Sequence, residues 1–156
     1  MKFDEELLLL NLETIIKANL NTKIAALNTE KNDTISLATV NNSAYIMDVN
    51  DKEVNYNPYI IYMISEQTSE ARGPVTIENI IINVALIHSD NGLDPYIVKR
   101  MLRYRRCLKE VIEENFRSIS PCDSVTIESL PVLSFQKSNS SYSSKVVGIN
   151  IITSIA

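Results

Sequence analysis

Ile80, Ile82, Val84 and Leu86 occupy every second position of the stretch 75–88, while the positions between them mix Asn79 and Asn83 with Ile81, Ala85 and Ile87. A period of two is the signature of a β-strand, because successive side chains point to opposite faces. One face of this strand is therefore core and the other is partly covered. A polar break, Ser89-Asp90-Asn91-Gly92, follows, and then the period changes. Ile97, Met101, Tyr104, Leu108 and Val111 recur at three and four residues, which predicts a helix over 94–116. Val98, Leu102, Ile112 and Phe116 widen its apolar stripe. Asp94 is placed to cap this helix and Pro95 fits its first turn.

The same reading extends along the chain. Leu8, Leu12, Ile15 and Ile16 predict a helix over 4–17, with Asp4, Glu5 and Glu6 near the positive end of its dipole. Asn19-Leu20-Asn21 reads as a break, and a second short helix is expected over 22–27, capped by Asn21 or Thr22. Residues 29–42 are polar and irregular except for an apolar cluster at 35–40, so they read as a long connection. A strand at 44–49 and a turn at 50–53 lead to a strand at 59–65 whose two parities are both apolar. That pattern fits a strand covered on both faces, or covered once and packed against a neighbour. Residues 66–73 read as a polar hairpin loop. Strands are expected at 125–128 and, after a bend at Pro131, at 130–135. A low-complexity polar loop follows at 136–144, and the last strand is 145–155. The element order predicts an α+β fold: one domain over 1–156, a mostly antiparallel β-sheet with two helices packed on one face.

Composition narrows the function classes. The chain has 156 residues, 45% of them hydrophobic, which is enough for one adequate core. Its net charge of −4 argues against a free nucleic-acid binder, so any contact with a polyanion must be local. Two cysteines, Cys107 and Cys122, are too few for a disulfide framework or a zinc site. The apolar run 7–10 follows acidic residues and is too short for a signal peptide or a membrane span, so a soluble protein made without export is expected.

Candidate chemistry is sparse. His88 is the single histidine, and its neighbours Ser89 and Asp90 lie beside it in sequence, where they cannot converge as a relay. The three glycines are isolated, so no phosphate-cradling loop is present, and the carboxylates show no metal-ligand spacing. The expectation is a protein that is not an enzyme and carries no cofactor or metal. The sharpest local signal is the basic helix, where Lys99, Arg103 and Arg106 share a face flanked by Arg100 and Lys109. Two readings stay open: a solvated face paired within the helix to Glu110, Glu113 and Glu114, or a contact with an acidic neighbour or a phosphate-bearing surface. Apolar sheet edges and the two polar loops are the other signals, since open edges invite pairing between copies.

This layout resembles the phage tail-terminator or neck proteins, also called tail completion or head–tail joining proteins. The residues that carry the resemblance are the N-terminal helix running into Ala18–Asn28, the strand start Pro58-Tyr59-Ile60-Ile61-Tyr62, a long strand leading into a helix with Arg103-Tyr104-Arg105-Arg106, and a terminal hairpin ending in Val146-Val147-Gly148-Ile149-Asn150-Ile151. The resemblance implies a subunit of a virion ring, usually a hexamer, at the head–tail junction. Such a ring caps the tail tube, meets the head connector and sometimes the sheath, and lets genomic DNA pass through its lumen without reading its sequence. A head-completion adaptor on the portal side, or a small cytosolic ligand-binding domain, are the alternatives. The residues expected at interfaces are Glu66, Glu70 and Arg72 in the first loop, Arg100, Arg103 and Arg106 on the basic helix, and Lys137 and Tyr142 in the second loop.

Overall fold

The structure is a computed structural model that describes residues 4–46, 56–90, 94–136 and 143–155. Its elements are α1 (Glu5–Lys31), β1 (Tyr45–Ile46), β2 (Tyr59–Arg72), β3 (Val75–Asp90), α2 (Ile97–Asn115), a short 3-10 turn (Phe116–Ser118), β4 (Ser124–Ser129), β5 (Leu133–Gln136) and β6 (Ser143–Ile155). The strands form one sheet in the order β1-β2-β3-β6-β4, with β5 also pairing β6. β1 pairs β2 in parallel, and every other pairing is antiparallel. The α+β fold read from the sequence is the fold observed.

Both helices pack on one face of the sheet and share one core with it. α1 contributes Leu8, Leu12, Ile16, Leu20, Ile24 and Leu27, a stripe at four- and three-residue spacing. α2 contributes Met101, Tyr104, Cys107, Leu108, Val111 and Ile112. Ile80, Ile82, Val84 and Leu86 meet them from β3, and Val147, Ile149 and Ile151 from β6. Thr153 continues the β6 row, and its hydroxyl donates to the Ile80 carbonyl.

The N-terminal helix departs from the expectation of two pieces. It runs unbroken from Glu5 to Lys31, capped by Asp4, whose side chain accepts from the Leu7 amide, and closed by Asn32 in the left-handed region. Asn19 does not break it, because its amide donates to the Ile15 carbonyl one turn back. Asn21 does not break it either, because its side chain bonds to the backbone of Val40, far along the chain. Asn19 is thus satisfied within the helix and Asn21 by a tertiary partner, so neither amide competes with the helical backbone.

α2 also differs at its start. Its N-cap is Tyr96, without a side-chain cap bond. Asp94 accepts instead from the Tyr96 amide, two residues on, and from the Arg100 guanidinium. Val98, Leu102 and Phe116, read as part of the core stripe, are exposed, and Cys107 fills the core position between Tyr104 and Leu108.

The largest difference is at residues 66–73. They are not a loop: β2 continues through them to Arg72, and Arg72 pairs with Val75 across a two-residue turn, Gly73-Pro74. Gly73 sits at φ +63°, the region that only glycine enters at little cost, as tight hairpin turns require. Ser65 is an extra residue in β2, opposite no partner, where the register shifts. The predicted strand 44–49 and turn 50–53 fall largely outside the described residues, as does most of the loop 136–144.

Candidate assembly surfaces

Two regions hold the residues singled out by sequence. The first is the helix layer. After α1 the chain doubles back, and residues 33–41 lie as a strap along the two helices, with Ile35, Leu37 and Val40 buried beneath it. α1 grips the strap through two asparagines. The Asn28 side chain accepts from the Leu37 amide at 2.8 Å and donates to the Leu37 carbonyl at 3.0 Å. Asn21 does the same to Val40, at 2.8 and 2.9 Å. The spacing explains why the pattern repeats. Seven helical residues rise about 10.5 Å, and three residues of extended chain span about 10 Å, so a strap antiparallel to α1 meets both asparagines in register.

α2 grips the strap from the other side. The Tyr104 hydroxyl donates to the Ala38 carbonyl at 2.8 Å, and the Arg100 guanidinium donates to the Ser36 carbonyl. Arg103 forks onto the Asp33 carboxylate at 2.9 and 2.6 Å and also donates to the Ile35 carbonyl. This fork holds the Asp33 carboxyl down at about 2. Arg106 completes the row, pairing with Glu30 of α1 and with Glu110 of its own helix. Arg100, Arg103 and Arg106 therefore sit together, and each carries at least one carboxylate partner inside the chain. The intrahelical pairs expected for this helix are present for Arg106–Glu110 and Lys109–Glu113, but Arg100 and Arg103 bond to the strap instead.

His88 lies behind this clamp. Its ring is 6.2 Å from that of Tyr104, and its Nδ1 is buried with no hydrogen-bond partner among the described residues. Burial, reinforced by the Arg100 charge, pushes its pKa below the ordinary value against the pull of Asp90 and Asp94. The residue is half-buried at the rim of the core, and no nucleophile is aligned with it among the described residues.

The second region is the other face of the sheet and the arm that extends it. Beyond Thr68↔Asn79 the β2–β3 hairpin runs four more pairs to its turn, about 14 Å at the usual rise of a strand. Its last three pairs, Glu70↔Ile77 to Arg72↔Val75, lie beyond the end of β6, whose last pairing is Glu78↔Ile155. The outer edge of β2 is paired by β1 only at Ile60 and Ile61 among the described residues. By strand alternation, Glu66, Thr68, Glu70 and Arg72 point to the side opposite the helices, with Ile77, Asn79 and Ile81 across from them. Arg72 and Glu70 pair with each other at 3.0 Å in the open, and such a pair contributes little. The arm brings Glu66, Glu70 and Arg72 together on one face, apart from the α2 arginines, which belong to the helix layer on the opposite side of the sheet. Lys137 and Tyr142 lie outside the described residues.

That face is apolar where it crosses the sheet. Ile61, Met63, Ile81, Ala85 and Ile152 lie on it, around an Asn83–Asn150 hydrogen bond at 3.2 Å. Part of it is covered: Leu130 reaches over Gly148, where an added Cβ would meet the Val84 carbonyl oxygen at 3.2 Å and Leu130 Cδ1 at 3.3 Å. The remainder is half-exposed.

Two depressions lie on the surface of the described residues. One, of about 420 Å³, is lined by Phe116, Arg117, Ile119, Cys122, Asp123, Ser124 and Val125. Burial raises the Cys122 thiol, which donates to the Ile119 carbonyl, so it is not an activated nucleophile. The other, of about 380 Å³, lies between the end of α1 and the outer side of α2, among Lys31, Lys99, Leu102, Arg103 and Arg106. No group of metal-binding side chains occurs among the described residues, and no helix among them is long and apolar enough to cross a membrane.

The sequence pointed to the α2 arginines and to Glu66–Arg72, but not to the strap or to its asparagines. The signal for the strap was present as Asn21 and Asn28, two amides seven residues apart on the border of an apolar stripe. Compared with known proteins, the chain matches no family model and no curated protein.

Proposed function

We propose that this chain is a structural virion protein, a tail terminator that assembles into a ring at the head–tail junction, and that it acts by fitting surfaces together without bond chemistry. The observation that carries this reading is the β2–β3 arm. Among the described residues it projects past β6 and has an open edge, and its polar tip runs on into an apolar sheet face that the helices leave uncovered. Open edges of this kind are normally blunted or paired, and pairing between copies is the usual solution in symmetric assemblies. The layout of the chain, helix–strands–helix–strands with a long central hairpin, adds the resemblance to tail-terminator and neck proteins.

On this reading the ring caps the finished tail tube, because its subunits occupy the surface on which the next tube ring adds. Partners are further copies of the chain, the tube protein and the head connector, and DNA passes the lumen without specific contacts. The test is electron microscopy of the purified protein, alone and mixed with tube protein encoded by the same genome. Rings, and tubes closed at one end by them, are the expected result. A protein that stays solitary in both preparations overturns the reading.

A further inference from the structure

Among the described residues, the outer side of α2 exposes an apolar ridge beside cations that make no ion pair. Val98 is 51% exposed and Leu102, one turn on, is 40% exposed. Lys99 stands between them, and Lys31 and Arg106 rim the depression beside Leu102. Neither Lys31 nor Lys99 makes an ion pair among the described residues. An apolar ridge with a positive rim is thus left without a partner.

The opposite side of the same molecule carries the complement. Along the arm and the sheet face, Met63 is 53% and Val75 44% exposed, and Ile77 and Ile81 lie between them in register. Glu66 and Glu70 flank this stripe, and Glu128 of β4 reaches the same face beside Asn150. Glu66 makes no ion pair among the described residues, and the exposed bond of Glu70 to Arg72 is easily exchanged for another cation. One surface is apolar with a rim in which Glu66, Glu70 and Glu128 outnumber Arg72, the other apolar with a basic rim. Charge arranged in this way fixes register and disfavours like-with-like contacts.

We infer that the arm of one copy lies across the outer side of α2 of the next, with Val75, Ile77 and Met63 against Val98 and Leu102, and Glu66 and Glu70 against Lys31 and Lys99. The two surfaces are different patches of one chain, so the contact is heterologous, head to tail, and propagates into a ring or an open series instead of closing as a two-fold dimer. The inference rests on the proposed assembly of copies and names the contact that builds it. It also gives the basic helix a role outside the chain through Lys99 and the apolar ridge, while Arg100, Arg103 and Arg106 stay bonded within the chain.

Charge reversal tests it. The chain, Lys31→Glu with Lys99→Glu, Glu66→Lys with Glu70→Lys, and the fourfold variant are compared by light scattering across a concentration series at low and moderate salt. The expected result is assembly of the unaltered chain, self-association at least tenfold weaker in each double variant, and recovery in the fourfold one. Double variants that assemble as well as the unaltered chain overturn this contact but leave ring assembly standing. Dissociation of the doubles without recovery in the fourfold variant overturns the pairing. An unaltered chain that stays solitary overturns both. A second readout is independent of charge: Ile77→Cys with Leu102→Cys in one chain is expected to give a ladder of disulfide-linked multimers on oxidation, whereas each single variant gives none. Dimers from a single variant, or no ladder from the pair, contradict the head-to-tail arrangement.

Discussion

The strap and the arm are both made of polar, irregular-looking sequence, yet the structure treats them in opposite ways. The strap, residues 33–41, is held on both sides: Asn21 and Asn28 bond its backbone from α1, and Arg100, Arg103 and Tyr104 bond it from α2. The arm is held by its own strand pairing and, among the described residues, leaves Glu66 without an ion pair and the edge of β2 beyond Ile61 open. Charge density alone therefore does not mark a binding surface. The most conspicuous arginines bond within the chain, and the surface that remains open is carried by a modest run of Glu, Ser and Thr.

Several substitutions break or sharpen this contrast. The largest effect is expected between the two faces of the sheet. Ile82→Ala, on the helix side and fully buried, is expected to cost about 3 kcal/mol. Met63→Ala, on the open side, is expected to change stability by less than about 0.5 kcal/mol, with assembly impaired instead. Urea unfolding and light scattering measure the two separately, and equal stability losses erase the distinction between the faces.

Next comes the strap. Asn28→Ala leaves the Leu37 amide and carbonyl without partners under the strap, at a cost of about 2 kcal/mol. Hydrogen exchange at the Leu37 amide is expected to rise sharply, with little change at Glu70 or Ala71. Uniform acceleration across both regions argues against a strap clamped locally.

A smaller effect concerns pH. The folded pKa of His88 is depressed, so the unfolded chain binds the proton more readily than the folded one. Stability is then present in full above the unfolded pKa of about 6.5 and is lost as pH falls through the lower folded value. His88→Gln is expected to flatten this dependence over the window below pH ~6.5. The Asp33 carboxyl, held at about 2 by Arg103, acts in a separate and more acidic window. Its contribution is present above the ordinary carboxylate pKa and is lost as pH falls toward about 2. Asp33→Asn is expected to remove that acidic loss alone. The smallest effect on stability is expected for Glu66→Lys with Glu70→Lys, within about 0.5 kcal/mol, because the one ion pair they remove, Glu70 with Arg72, is exposed.

Much of the fold was legible in the periodicity. The two-residue alternation of 75–88 marked β3 and its buried face, and the spacing of Met101, Tyr104, Leu108 and Val111 marked α2. The failures trace to partners that local composition does not display. Asn19 and Asn21 looked like helix breakers because local competition with the backbone is what sequence displays, and the Val40 backbone that absorbs Asn21 lies 19 residues away. Residues 66–73 looked like a loop because they lack apolar alternation, and they form a strand because the strongly patterned β3 supplies a full set of pairing partners. The candidate surface was legible in part: Glu66, Glu70 and Arg72 do share one exposed face. The arginines of α2 were visible as a charge cluster, but their carboxylate partners Asp33 and Glu30 come from another part of the chain.

The most direct test of the central claim, that the arm and the open sheet face join copies of this chain, is the mass of the purified protein in solution. Light scattering across a concentration series is predicted to give multiples of the 17.6 kDa chain. A variant in which the arm is shortened to a turn between Gln67 and Ile80 is predicted to fall to a single chain while staying folded. A single-chain mass for the unaltered protein at every concentration contradicts the account.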